Sequence, residues 1–133
     1  MLFRSTAQEV HAFDFDPESG ALSRPRVWLR LAEGDGYPDG MTTDADGRLW
    51  IAHWGAACVT CHDPASGAEL LRIGLPTSHV TNLTFGGPAW NTLFITSARF
   101  ELTQAQLAQQ PQAGALFAVE VSAAGRPAHR YAG

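Results

Sequence analysis

Apolar and polar residues alternate in short bursts along most of this chain, with a period near two rather than the helical 3.6. The middle of the sequence carries the pattern most clearly. Residues 41–43 lead to a turn written Asp44-Ala45-Asp46-Gly47, followed by an apolar run over 49–54. A run over 59–62 comes next, then a turn at Asp63-Pro64-Ala65-Ser66-Gly67, then a run over 69–75. The runs are rich in β-branched and aromatic residues, and the breaks use Asp, Gly, Pro and Ser, which suit tight reversals. Four antiparallel strands are predicted here. Only "RFELTQAQLAQQPQAG" has helical composition, which predicts one or two helical turns in a long loop over 99–113.

The pattern repeats. "FDPESGAL" from Phe15 returns as "HDPASGAEL" from His62, 47 residues later, and Leu2 of "MLFRST" stands 47 residues before Leu49 of "RLWIAHW". "TLFITSA" from Thr92 is a third copy, with Leu93 standing 44 residues after Leu49. Two of these copies are preceded by a further pair, "DGMTTDADG" from Asp39 and "TNLTFGGP" from Thr81. A period in the mid-forties with several short strands per unit is the mark of β-propeller blades. The expected fold is therefore all-β, in blade units of about 1–32, 38–76 and 80–133, the first lacking its opening strand. Propellers close with about four to eight blades. About three four-stranded blades make a partial propeller, an arc of a ring.

Composition narrows the partners. With 45% apolar and 17% charged residues the chain is core-forming. A net charge of −4 without a Lys/Arg cluster argues against nucleic acid. No apolar run approaches the length of a membrane span, and "MLFRSTAQEV" lacks the layout of a secretory signal. A cytoplasmic location is the default expectation.

Cys58-Val59-Thr60-Cys61-His62 spells C-x-x-C-H, the pattern that attaches haem. At the 47-residue offset Val59, Thr60, Cys61 and His62 fall on Ala12, Phe13, Asp14 and Phe15, which read as a strand. A strand alternates faces, so Cys58 and Cys61 are expected on opposite sides, whereas haem attachment needs both thiols on one side. No haem is expected, and His62 is assigned the packing position of Phe15. No second Cys/His pair at ligand spacing supports zinc.

The run "YPDGMTTDADGRLWIAHWG" resembles the regucalcin/gluconolactonase (senescence-marker-protein) family of sugar lactonases. The likeness continues through "VTNLTFGGPAWNTLFITSAR", the closing "QPQAGALFAVEVSAAGRPAHRYAG" and, upstream, "VHAFDFDPESGALS". PDGM, FGGP and TSAR at these intervals are specific in combination and weak singly. The resemblance implies a six-bladed ring with one divalent cation (Ca, Zn, Fe, Mn or Mg) at the top of its channel. It implies a Glu, an Asn and the Asp of the PDG motif as the ligands. That Asp corresponds to Asp39; the Glu and Asn have no counterparts, so the chain resembles the C-terminal half alone.

Hydrolysis of a lactone needs a polarised carbonyl and an activated water. A hard cation with oxygen ligands serves the first need, and a carboxylate beside it accepts the water's proton. The resemblance makes Asp39 the candidate metal ligand and general base, with a sugar lactone as the small-molecule partner. Read locally, Asp39 is equally an Asx-turn residue between Pro38 and Gly40. Aligning "DGM" with "TNL" puts Thr81 at the repeat position of Asp39, and Thr81 and Asn82 are candidate contacts to sugar hydroxyls. His53 and His79 read as packing or rim residues, and Trp28, Trp50, Trp54 and Trp90 as inter-blade packing. Asp44-x-Asp46-Gly47 imitates the start of a calcium loop but lacks its later ligands, and reads as a hairpin turn. Two alternatives stay open: a catalytically incomplete fragment, and a non-enzymatic calcium-binding propeller. An open arc exposes the sides of its end blades, so self-association that completes the ring is expected.

Overall fold

The computed structural model describes residues 2–4 and 7–128. Residues 1, 5, 6 and 129–133, which fall in the first and third expected units, lie outside the described residues. The chain forms three antiparallel sheets in sequence order. The first holds β1 (Leu2–Arg4), β2 (Glu9–Phe15) and β3 (Leu22–Arg30). The second holds β4 (Tyr37–Thr43), β5 (Leu49–Trp54), β6 (Cys58–His62) and β7 (Glu69–Gly74). The third holds β8 (Val80–Gly86), β9 (Thr92–Ser97) and β10 (Leu116–Glu120), with the short helix α1 (Gln104–Gln109) between its last two strands. Thr103 and Gln106 close a capping box at the start of α1.

Hydrogen bonds show the repeat as plainly as the letters do. In the β2–β3 turn, Asp16 N donates to Ala21 O at 3.0 Å and Gly20 N to Asp16 O at 2.8 Å. In the β6–β7 turn, Asp63 N donates to Ala68 O and Gly67 N to Asp63 O, both at 2.9 Å. Gly20 and Gly67 take positive φ, 72° and 74°, which explains glycine at both places. Phe15 pairs with Leu22 as His62 pairs with Glu69. β1 departs from the repeat: the 47-residue offset would set Leu2 opposite Phe15, but Leu2 pairs with His11.

The second sheet is covered on both faces, which is why its middle strands read as almost unbroken apolar runs. Along β5, Trp50 and Ala52 join Val59 and Cys61 of β6 in packing against Val80, Leu83, Phe85, Leu93 and Ile95 of the third sheet. Trp50 meets Phe85 edge to face at 5.5 Å. The alternate residues Leu49 and Ile51 pack with Val10, Leu29, Trp28 and Met41 toward the first sheet. Cys58 and Cys61 are buried free thiols on opposite faces of β6. The first sheet differs: Phe15 is 63% exposed, whereas its counterpart His62 is 3% exposed.

The Asp44 hairpin is a structural turn. Asp44 is 1% exposed. Its Oδ1 accepts from the backbone N–H groups of Asp46 and Arg48, and its Oδ2 from Arg48 Nε and Trp50 Nε1. Four donors saturate the carboxylate. Among the described residues no helix is long and apolar enough to cross a membrane.

Candidate functional site

β4 starts earlier than the apolar pattern suggests, at Tyr37, so Asp39 lies inside the strand rather than in a turn before it. The ladder explains why the pattern hides this. Pro38 pairs with His53 and Met41 with Ile51, leaving Asp39 and Gly40 in a register shift between them. A bulge of this kind interrupts the alternation and re-aims a side chain.

The segment before Asp39 is held from several sides. His53 Nδ1 donates to Asp35 O at 2.7 Å, and Gln8 Nε2 donates to Gly36 O at 2.7 Å. Gly36 has a φ of 67°, and a Cβ there would stand 2.3 Å from Trp54 O. Pro38 is fully buried. These anchors fix the chain immediately upstream of the carboxylate. Local sequence marks Gly36 only as one glycine of "GDG"; its close approach to Trp54 appears when β4 and β5 pair.

β8 repeats the same device. Val80 pairs with Ser97 and Asn82 with Thr96, with a register shift between them. Leu83 faces Ile95 as Met41 faces Ile51, so Thr81 and Asn82 occupy the positions of Asp39 and Gly40. β4 and β8 lie side by side. They approach so closely that a Cβ on Gly40 would fall 2.2 Å from Asn82 Oδ1 and 2.6 Å from Asn82 Cα. Gly40 and Asn82 thus meet directly, on strands that also carry Asp39 and Thr81. Thr81 Oγ1 shares a hydrogen with Thr96 Oγ1 at 2.7 Å, and Asn82 Oδ1 accepts from Leu83 N at 2.8 Å. Asn82 also lines a hollow of about 200 Å³ with Thr84, Phe94, Thr96 and Leu116 on the open face of the third sheet.

Asp39 is half-buried, and desolvation alone raises its pKa above the usual carboxylate value. Among the described residues no hydrogen bond or ion pair reaches its carboxylate. Elsewhere the acids are mostly paired: Asp14 with Arg24 and Arg26, Glu9 with Arg30 and His11, Glu69 with Arg72. A partly dehydrated carboxylate without a cation beside it suits a hard cation as one oxygen ligand. Among the described residues, however, no three His, Cys, Asp or Glu side chains come together as a metal-binding group.

The other candidates have structural partners. His53 is fully buried and bonded at both ring nitrogens. His79 stacks on Trp54 with ring centroids 4.0 Å apart and donates Nδ1–H to Phe100 O. Trp28 bridges the first two sheets by donating to Pro64 O at 2.9 Å. Trp90 stands in the β8–β9 turn with a φ of 56°.

Repeating antiparallel sheets packed face to face define a propeller-type protein, of which this chain makes a part. The chain belongs to the SMP-30/Gluconolactonase/LRE-like family, whose sequence profile matches residues 2–99. It is 38% identical over 126 residues to the putative sugar lactone lactonase YvrE of Bacillus subtilis, covering 95% of this chain and 43% of that protein. It is 38% identical over 128 residues to the pentonolactonase XacC of Haloferax volcanii, covering 93% of this chain and 44% of that protein. Among solved structures, a calcium-binding regucalcin from Agrobacterium tumefaciens superposes with a TM-score of 0.84 at 28% identity, over 92% of this chain and 41% of that one. The chain thus spans less than half the length of these relatives.

Proposed function

We propose that this chain contributes the Asp39 part of a metal-dependent sugar-lactone hydrolase. The observation that carries the reading is Asp39 itself, a partly dehydrated carboxylate with no partner among the described residues, held on a strand bulge beside a second bulge of polar residues. Relatives named as lactonases support the reaction class. A relative named as calcium-binding supports a divalent ion. The blade units 1–32, 38–76 and 80–133 form part of the same reading.

Asp39 is the residue of this chain that would hold the ion; the Glu and Asn that the family resemblance implies are assigned to the half its relatives carry in addition. A hard divalent ion bound there supplies the charge that polarises a lactone carbonyl. Asp39 accepts a proton from the attacking water as the water oxygen bonds to the carbonyl carbon. The ring C–O bond then breaks, and the alkoxide takes a proton from the Asp39 carboxyl to leave a hydroxy acid. With no ion beside it, desolvation raises the Asp39 pKa; a bound cation would favour the ionised carboxylate, the form that both holds the ion and accepts the proton. Thr81 and Asn82 are assigned to sugar hydroxyls.

One observation favours a second reading. The lack of further ligands beside Asp39 among the described residues makes the chain alone catalytically incomplete, or a calcium-binding propeller without turnover. Hydrolysis of aldonolactones with added calcium, zinc, manganese, magnesium or iron distinguishes the two. The test compares the chain alone with the same residues joined to an upstream half of the kind its relatives carry. Turnover only in the joined chain, abolished by Asp39→Ala, supports the proposal; metal binding without turnover supports the second reading.

The open faces enter the proposal too. Phe15 and Leu22 on the first sheet, and Leu116 on the third, are 63%, 55% and 66% exposed. The 133-residue chain alone is expected to self-associate through these faces. Light scattering at rising concentration should show species larger than a monomer, and a strictly monomeric solution would contradict this part.

A further inference from the structure

Between the first and second sheets lies a buried polar chain that the lactonase reading does not use. Thr60 is fully buried on β6, and its hydroxyl stands 2.6 Å from His53 Nε2 and 2.8 Å from His62 Nε2. Each imidazole also reaches a backbone carbonyl through its other nitrogen. His53 Nδ1 lies 2.7 Å from Asp35 O, and His62 Nδ1 lies 2.9 Å from Gly67 O.

The hydrogens in this chain can be counted. A carbonyl oxygen only accepts, so both Nδ1 atoms must carry hydrogen. A neutral imidazole has one N–H, so each Nε2 would then be a bare lone pair. Both lone pairs point at one hydroxyl, which has one hydrogen to give. With both rings neutral, one of the two pairings is lone pair against lone pair. Changing the tautomer of either ring only moves the conflict to a carbonyl. A third ring hydrogen removes it: one Nε2–H donates to Thr60, and Thr60 donates to the other Nε2.

The surrounding charges leave room for that proton. Asp35, from the β3–β4 connection, and Glu69, on β7, both bridge to Arg72 of β7 at 3.1 and 2.7 Å. Two carboxylates and one guanidinium leave one negative charge unbalanced. Cys58 on β6 adds none, because burial raises its thiol pKa. From the first sheet, Trp28 presents its ring to His62 edge to face at 6.1 Å and brings no charge. Asp39 is not among the charges that act on His53.

We propose that the His53–Thr60–His62 chain binds one proton more than two neutral imidazoles carry, which makes the joint between the first and second sheets a pH-responsive clamp. Burial lowers the pKa of His53, so it is the hydrogen-bond geometry at Thr60, and not burial, that calls for the third hydrogen. The two rings are joined through one hydroxyl and share the third hydrogen as one unit. Because the folded pair holds its proton more tightly than the unfolded chain, its contribution to stability is complete below about pH 6.5, the ordinary histidine value. That contribution is lost as pH rises through the higher value in the folded pair. The clamp's upper anchor is Asp35, four residues before Asp39, so its loosening acts on the segment that positions the candidate base.

Nitrogen-15 NMR of the histidine rings in the full chain tests the count directly. The proposal expects three ring N–H protons on the His53 and His62 pair at pH 7, with the third lost in a single step at higher pH. Two ring N–H protons at pH 7, one per ring, would overturn it. Thermal unfolding gives a second readout. The wild-type melting temperature should fall by roughly 4 °C for each pH unit over which the folded pair alone keeps the proton. His62→Gln, whose amide donates to Thr60 without charge, should lose that slope, and an unchanged slope would count against the clamp. If the variant does not fold, the NMR count on the wild-type chain still decides.

Discussion

β4 and β8 are the same device carrying different chemistry. Both form an edge of a sheet, both break register near their start, and just beyond the break both set an apolar residue, Met41 or Leu83, opposite an isoleucine. At the equivalent positions one strand has Asp39-Gly40 and the other Thr81-Asn82. The β8 pair is tied down locally, through Thr96 and Leu83. The Asp39 carboxylate has no such tie among the described residues and is partly dehydrated instead. The repeat therefore supplies the geometry twice, and a carboxylate without a partner among the described residues occupies it once. A group left without partners costs stability unless something else uses it.

Removing that group should give the largest effect. In a ring-complete protein, Asp39→Ala is expected to lower lactone hydrolysis about 10³-fold, within the range for loss of a general base. Its stability should hold or rise. The sign follows from the raised pKa: the fold disfavours ionised Asp39, so that penalty is present above the folded pKa and relieved as pH falls through it. Holding a cation requires ionised Asp39, so metal affinity should fall as pH drops into the carboxylate range, and metal titrations between about pH 4 and 7 check this.

Gly40→Ala attacks the closeness of the two strands. Alanine at this ordinary backbone conformation would otherwise be neutral or stabilising. Here its Cβ meets Asn82 at 2.2 to 2.6 Å, so a loss of about 1–3 kcal/mol is expected, seen as a lower midpoint in urea. Asn82→Gly in the same chain should recover part of the loss, since it removes the clash with the Asn82 side chain and leaves the one with its backbone.

How much of this was legible in the letters depends on whether the cause was local. The Asp16 and Asp63 turns were, because their glycines and aspartates serve hydrogen bonds within six residues. The opposite faces of Cys58 and Cys61 were too, because alternation is a property of any strand. The start of β4 was not, because Pro38 and the bulge at Asp39-Gly40 interrupt alternation and resemble a turn. The displaced β1 register and the roles of Gly36 and His53 depend on chain segments far away in sequence. His53 and His62 share one hydroxyl only after β5 and β6 pair, and no spacing rule announces a missing hydrogen. Sequence resemblance picked out Asp39; its lack of partners among the described residues is a structural observation.

The smallest effects should come from the β8 pair. Thr81→Val removes one hydroxyl hydrogen bond and Asn82→Ala one backbone bond, each worth about 0.5–1 kcal/mol at such exposed sites. If they meet sugar hydroxyls, KM should rise a few-fold with kcat little changed.

The most direct measurement is lactone hydrolysis against divalent-metal concentration for these residues within a ring of the relatives' length, with and without Asp39→Ala. The account predicts saturable, metal-dependent turnover that disappears in the variant while its unfolding midpoint is unchanged or higher. Undiminished turnover in a folded Asp39→Ala protein would contradict it.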